Sequence, residues 1–148
     1  MPAVPALRSC YSRVGRLVYF GRMLDKIRLN QTGALPPDYR GNLSIGFDGR
    51  CCTFLHVNYP DLVERVKQGG SDEEILAWCE ERGGVHSDND CMIWNRFMMK
   101  IGWRDDRTPV LQQRLKEYGL AGQPIETFFD LNDFDEGRNP VATKAWLN

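Results

Sequence analysis

Phe47-Asp48-Gly49-Arg50-Cys51-Cys52 puts a carboxylate, a guanidinium and two adjacent thiols on six residues around a glycine. Asp48 in such a turn could take a proton as a general base. Arg50 could hold an anionic group. If Asp48 caps a helix over residues 49–55, Cys51 and Cys52 fall in its first turn. There the helix N-terminus and the Arg50 charge both favour a thiolate. Cys51 would then be a nucleophile, or Cys51 and Cys52 would work together as a redox pair or close an adjacent disulfide. The plainer reading is that both thiols are small buried hydrophobes, as free cysteines usually are. Asp48 and Arg50 would then only clamp the turn.

A second group of chemical residues lies on the first amphipathic stretch. Over residues 13–29, at one hundred degrees per residue, Tyr19, Phe20, Met23, Leu24 and Ile27 share an apolar face. Arg28, Gly21, Asp25, Arg22 and Lys26 form the opposite face. A glycine inside a helix costs about 1 kcal/mol relative to alanine. Gly21, one turn before Asp25, therefore implies that something approaches the backbone beside a carboxylate. Arg22, Lys26 and Arg28 could hold an anionic group there while Asp25 orients or deprotonates a neighbour. The alternative is a solvated face laced with spaced ion pairs. A third group, Trp94-Asn95-Arg96, would suit a pocket wall, where polar groups orient a ligand against an aromatic surface.

The elements that must carry these groups are mostly helices. The helix over residues 13–29 ends at Asn30 to Gly33, and Pro36-Pro37 keep it from resuming. Residues 35–46 read as an ordered loop. Residues 49–55 are a short helix or, given Thr53, Phe54, Val57 and Tyr59, a strand. Pro60 opens a helix that Gly69-Gly70 stop. Ser71 with Glu74 forms a capping box, and Ser87 to Asp90 begins another helix in the same way. Each of these two caps leads to a tryptophan at the same offset, Trp78 and Trp94. Thr108-Pro109 starts a further helix closed by Gly119, and Pro124 opens a last one through Phe128 and Phe129. From about residue 137 the tail carries few order signals. The fold expected is mainly α: a compact single-domain helical bundle over residues 1–148, with room for one short strand pair near Phe54.

Composition narrows the function class. A chain of 148 residues with 42% hydrophobic and 26% charged residues can bury a core without disulfide or metal staples. Its net charge of -1 argues against a nucleic-acid binder. No apolar run is long enough to span a bilayer, and the first residues lack a signal-peptide core. Five cysteines, two of them adjacent, do not make a secreted disulfide framework, so a cytoplasmic location is expected. His56 with Cys51 and Cys52 falls short of the four ligands a structural zinc needs. The acidic run from Asp130 to Gly137 fails as a calcium loop, because Phe134, Asp135 and Val141 stand at ligand, glycine and glutamate positions. It reads as an acidic helix end and turn. No phosphate loop, dinucleotide fingerprint or nucleophile elbow occurs, so no cofactor is expected.

Several blocks together carry a resemblance. They are residues 16–28, residues 47–52, Gly69-Gly70-Ser71-Asp72-Glu73-Glu74, Ile93-Trp94-Asn95-Arg96-Phe97 and Gly102-Trp103-Arg104-Asp105. From about Leu17 to Gly137 the chain resembles a family of small bacterial proteins catalogued as a domain of unknown function. The resemblance implies a single bacterial cytoplasmic domain and brings no reaction or catalytic residues.

The expected function is a cofactor-independent small-molecule enzyme or binder. Arg22, Arg28 and Arg50 would hold an anionic ligand. Asp25 or Asp48 would serve as base or orienter, Cys51 as nucleophile, and Trp94 and Asn95 as the wall. One alternative is a non-catalytic interaction module whose Phe128, Phe129, Phe134 and Trp146 contact a partner or a second copy, making a homodimer. The other is a thiol redox protein using Cys51 and Cys52.

Overall fold

The computed structural model describes residues 3–140. Among them are a two-residue-per-strand hairpin and eight helices. The hairpin pairs β1 (Arg13–Val14) with antiparallel β2 (Leu17–Val18), Arg13 opposite Val18 and Val14 opposite Leu17. The helices come next as α1 (Phe20–Gln31), α2 (Pro37–Arg40), α3 (Gly46–Leu55), α4 (Tyr59–Lys67), α5 (Asp72–Gly83), α6 (Asp88–Met98), α7 (Thr108–Glu117) and α8 (Phe128–Asp135). The fold class is mainly α.

The first helix begins seven residues later than its periodicity suggests, and the short strand pair lies at residues 13–18 rather than near Phe54. Gly15 explains both. Its φ of 56° at the first central position of a two-residue loop is what a tight hairpin needs, and flanking β-branched residues favour strands. The chain then turns into α1 through Tyr19, whose φ of 72° is uncommon for a residue with a side chain. Tertiary contacts hold it there. The Tyr19 amide donates to the Cys10 carbonyl, and its ring stacks on Phe129 and meets Phe47 edge-on.

Local signals place the middle helices. Ser71 and Glu74 close one capping box on α5, and Ser87 and Asp90 close another on α6. Pro60 sits in the first turn of α4 and Pro109 in that of α7. Two boundaries differ from expectation. Ile45, not Asp48, is the N-cap of α3, so Asp48 sits inside the helix. The last helix starts at the Thr127 cap rather than at Pro124, because the Thr127 hydroxyl accepts from the Asp130 amide. Part of the loop over residues 35–46 winds into α2.

α1 is the central element. From Phe20 to Ile27 every residue is buried, polar ones included. It packs against α4 and the hairpin, while α6 packs on β2 and α5 on α3, α4 and β1. The main core joins the hairpin to α1 and to α3 through α8, and a small satellite cluster gathers Leu7, Leu35 and Tyr39. Phe128 and Phe129 belong to the core rather than to an exposed tail. Trp146, the other anchor expected of that tail, lies outside the described residues.

Candidate functional site

The charged face of α1 is largely covered, with Arg22, Asp25 and Lys26 buried and Arg28 half-buried. Each of its groups meets a partner from a distant part of the chain. Arg22 makes a bidentate pair with Glu136 at 2.8 and 2.6 Å, both side chains almost fully buried at 4% and 2% exposure. Glu136 also accepts from the Tyr39 hydroxyl and from Arg138. Burial alone would raise the Glu136 carboxyl, but the Arg22, Arg138 and Tyr39 bonds hold it below its ordinary value.

Asp25 accepts from the Arg8 amide at 2.9 Å and from the Arg8 guanidinium at 2.8 and 3.0 Å. Arg8 and Arg28 converge on Asp72 at 2.8 and 2.7 Å. The glycine at position 21 is explained here. The Arg8 guanidinium donates to the Gly21 carbonyl, and a Cβ on Gly21 would stand 2.8 Å from the Arg8 Cζ and 2.9 Å from a Val14 methyl. What approaches the backbone beside Asp25 is therefore a side chain of the protein itself.

Asp48 is fully buried. It accepts from the Tyr19 hydroxyl at 2.6 Å, from Lys26 Nζ at 3.1 Å on each oxygen, and from the Ser44 amide at 3.3 Å. Desolvation, and next the Asp48 charge, push the Tyr19 phenol well above its ordinary value.

Arg50 is exposed and turns elsewhere, its guanidinium 5.3 Å from the Phe97 ring centre. Cys51 and Cys52 are buried and free, as are Cys10, Cys79 and Cys91. Desolvation pushes the Cys51 thiol well up and the Cys52 thiol to about 11, which is the reverse of nucleophile activation. So the structure does not gather Arg22, Arg28, Arg50, Asp25, Asp48 and Cys51 around one opening. The first three arginines have three different partners: Glu136, Asp72 and the Phe97 ring.

The third candidate group lies beside an opening. A cleft of about 760 Å³ runs between the hairpin, α6 and the approach to α8. Asn95 lies in its lining. Its Oδ1 accepts from the Val18 amide at 3.0 Å and its Nδ2 donates to the Arg16 carbonyl at 2.6 Å, so its amide fixes the hairpin against α6. Trp94 is buried beneath, donating from Nε1 to the Val18 carbonyl at 3.2 Å. The floor includes Cys91, Met99 and Tyr11, all buried. The Tyr11 hydroxyl donates to Asp130 at 2.6 Å and lies 3.0 Å from the Thr127 hydroxyl. Met92 and Trp103 add exposed apolar surface. The charged lining is Arg13, Arg16, Arg96 and Lys100 against Asp88 and Glu126, with Arg16 and Asp88 paired.

Sequence reasoning passed over Arg13, Arg16 and Lys100. Their only signal was the recurrence of cations around a short hairpin, and the hairpin itself read as helix. Among the described residues no group of three or more His, Cys, Asp or Glu side chains is placed to hold a metal, and no helix is long and apolar enough to cross a membrane.

The family model for Domain of unknown function (DUF5069) matches residues 4–138. The chain belongs to this family. The match takes in the hairpin, all eight helices and every residue of the cleft, so the cleft is part of the family's domain rather than an appendage. No curated protein matches the chain.

Proposed function

We propose that this protein binds a small anionic ligand in the cleft between the hairpin and α6. The carrying observation is the charge of its lining: four cations against two carboxylates, in a chain whose net charge is -1. Low-dielectric walls focus such a local excess and raise the concentration of an oppositely charged ligand. Met92, Met99 and Trp103 offer apolar surface beside the cations, which suits an anion carried on an apolar or aromatic body. The arginine-held anion expected from the sequence is retained in this reading. Its cations become Arg13, Arg16, Arg96 and Lys100, while Arg22 and Arg28 pair with Glu136 and Asp72.

The test is a fluorescence titration with 8-anilinonaphthalene-1-sulfonate, an aromatic anion, with pyrophosphate as competitor. Saturable one-to-one binding is expected, weakening with salt as a charge-led interaction should. Arg96→Glu should weaken it at least tenfold while leaving the melting temperature in place. The proposal fails if no saturation occurs up to about 1 mM probe, or if Arg96→Glu binds as well as wild type.

A further inference from the structure

Beyond the end of α6 the cleft is walled by a closely held loop. The Asp105 carboxylate accepts from the amides of Gly102 and Arg107, each at 2.9 Å, and the Thr108 hydroxyl donates to the Gly102 carbonyl at 2.8 Å. Gly102 has a φ of 101°, and a Cβ there would stand 2.9 Å from a Leu111 methyl and 3.0 Å from the Phe128 ring. Arg104 has a φ of 51°, uncommon for a residue with a side chain. Such backbone persists only where its surroundings hold it, and it gathers at ligand sites. What the loop presents is Trp103, which lines the cleft and is 42% exposed. The Arg104 guanidinium, outside the lining, stands 4.9 Å from the Trp103 ring centre. The chain braces one face of this ring and leaves the other to a planar guest.

Charged groups accompany the ring. A turn ties Lys100 to it, the Trp103 amide donating to the Lys100 carbonyl at 2.9 Å. Arg96 stands on the last turn of α6, and both cations line the cleft. Glu126 comes in on the approach to α8, just before Phe128, whose amide donates to the Ile101 carbonyl at 3.0 Å. Arg16 is paired with Asp88, whereas Arg96, Lys100 and Glu126 make no ion pair among the described residues. One exposed aromatic ring therefore shares the cleft with two unpaired cations and one unpaired carboxylate.

We infer that the anion taken by this cleft is a guanine nucleotide; the inference rests on the ligand reading above and narrows it. The base stacks on the open face of Trp103, as nucleobases do on exposed aromatic side chains. The phosphate goes to Arg96 and Lys100 through charge-assisted hydrogen bonds. Glu126 selects the base. An ionised carboxylate only accepts hydrogen bonds, so it favours a base edge made of donors. Guanine offers two neighbouring donors, N1–H and the N2 amine, to the two carboxylate oxygens. Adenine and cytosine set an acceptor beside their amine, and uracil flanks its N–H with two carbonyls. An aromatic anion without donors on its edge gains nothing from Glu126 and is repelled by its charge.

Isothermal titration calorimetry of the full chain tests it with GMP, AMP, ribose 5-phosphate and 1-naphthyl phosphate. GMP should bind about tenfold tighter than each of the others, or better. Trp103→Ala should weaken GMP about tenfold and leave ribose 5-phosphate unchanged, and Trp103→Phe should restore most of the loss. Glu126→Ala should move two ligands in opposite directions. GMP weakens about tenfold as its edge loses the acceptor, while 1-naphthyl phosphate tightens because a repelling charge is gone. Both side chains are exposed, so these variants should melt within a few degrees of wild type. The inference is overturned, with the ligand reading intact, if 8-anilinonaphthalene-1-sulfonate and pyrophosphate bind but GMP binds no tighter than ribose 5-phosphate. It is overturned equally if Glu126→Ala shifts GMP and 1-naphthyl phosphate in the same direction. If none of these anions binds, both readings fail.

Discussion

Replacing Arg22 by alanine should lower the stability of the fold sharply, and replacing Arg50 should not. Arg22 and Glu136 are 4% and 2% exposed and bonded through two parallel N–H···O contacts. Removing one member of a buried ion pair costs about 3–5 kcal/mol, because the other charge is left without its partner in a low-dielectric site. Glu136 would keep Arg138 and Tyr39, which places the expected loss near the lower end, about 3 kcal/mol. For a chain of this length 1 kcal/mol moves Tm by about 2–4 °C, so Arg22→Ala should melt about 6–12 °C lower. Arg50 is exposed, and its contact with the Phe97 ring is worth about 0.5–1 kcal/mol. Its variant should melt about 1–4 °C lower. Thermal melts monitored by circular dichroism measure both. Adding Glu136→Gln to Arg22→Ala should recover part of the loss, since the orphaned charge disappears. The reasoning is refuted if Arg22→Ala melts within about 2 °C of wild type, or if the double variant is as unstable as the two single losses added together.

The packing makes two further outcomes testable. Gly83→Ala should lose about 3 kcal/mol in a denaturant titration, although alanine is the better helix former. A Cβ there would fall on the Leu55 carbonyl, which is backbone and cannot step aside; a stabilised variant would contradict the contact. Stability should also decline above about pH 8.5. Burial raises the Cys51 thiol, takes Cys52 to about 11 and takes Cys79 to about 12. Raised values mean that the folded state keeps protons the unfolded chain releases, so their contribution is complete below the unfolded thiol value and drains away as pH rises. Three such thiols together lose about 4 kcal/mol of stability between pH 8 and pH 9.5. Urea midpoints at pH 8 and pH 9.5 would show it, and a flat profile would contradict the burial of these thiols.

How far the sequence could be read depends on the range of each interaction. The capping boxes of α5 and α6 join residues three apart, so Ser71 with Glu74 and Ser87 with Asp90 announce their helices without knowledge of the rest. The apolar face of α1 was legible for the same reason, since periodicity is local. The hairpin was missed because two-residue strands are too short to show an alternation, and Leu17 falls beside Leu24 on the helical period of α1. The acidic run near residue 130 read as an acidic helix end and turn, which says nothing of its burial, yet Asp130, Asp133 and Glu136 are buried. Their partners are Tyr11, Arg138 and Arg22, and the first and last of these lie more than a hundred residues away.

Residue order alone carries a mainly helical chain, its helix caps, its apolar faces and its membership of a family. It also held the rule that a glycine inside α1 must admit something. Folding in three dimensions makes Arg8 the visitor, turns the charges of α1 into internal clasps and brings the cations near the hairpin to one cleft. The reason is physical. A charged side chain is ambiguous in sequence because water and a buried counter-charge satisfy it equally well, and only the folded chain chooses between them.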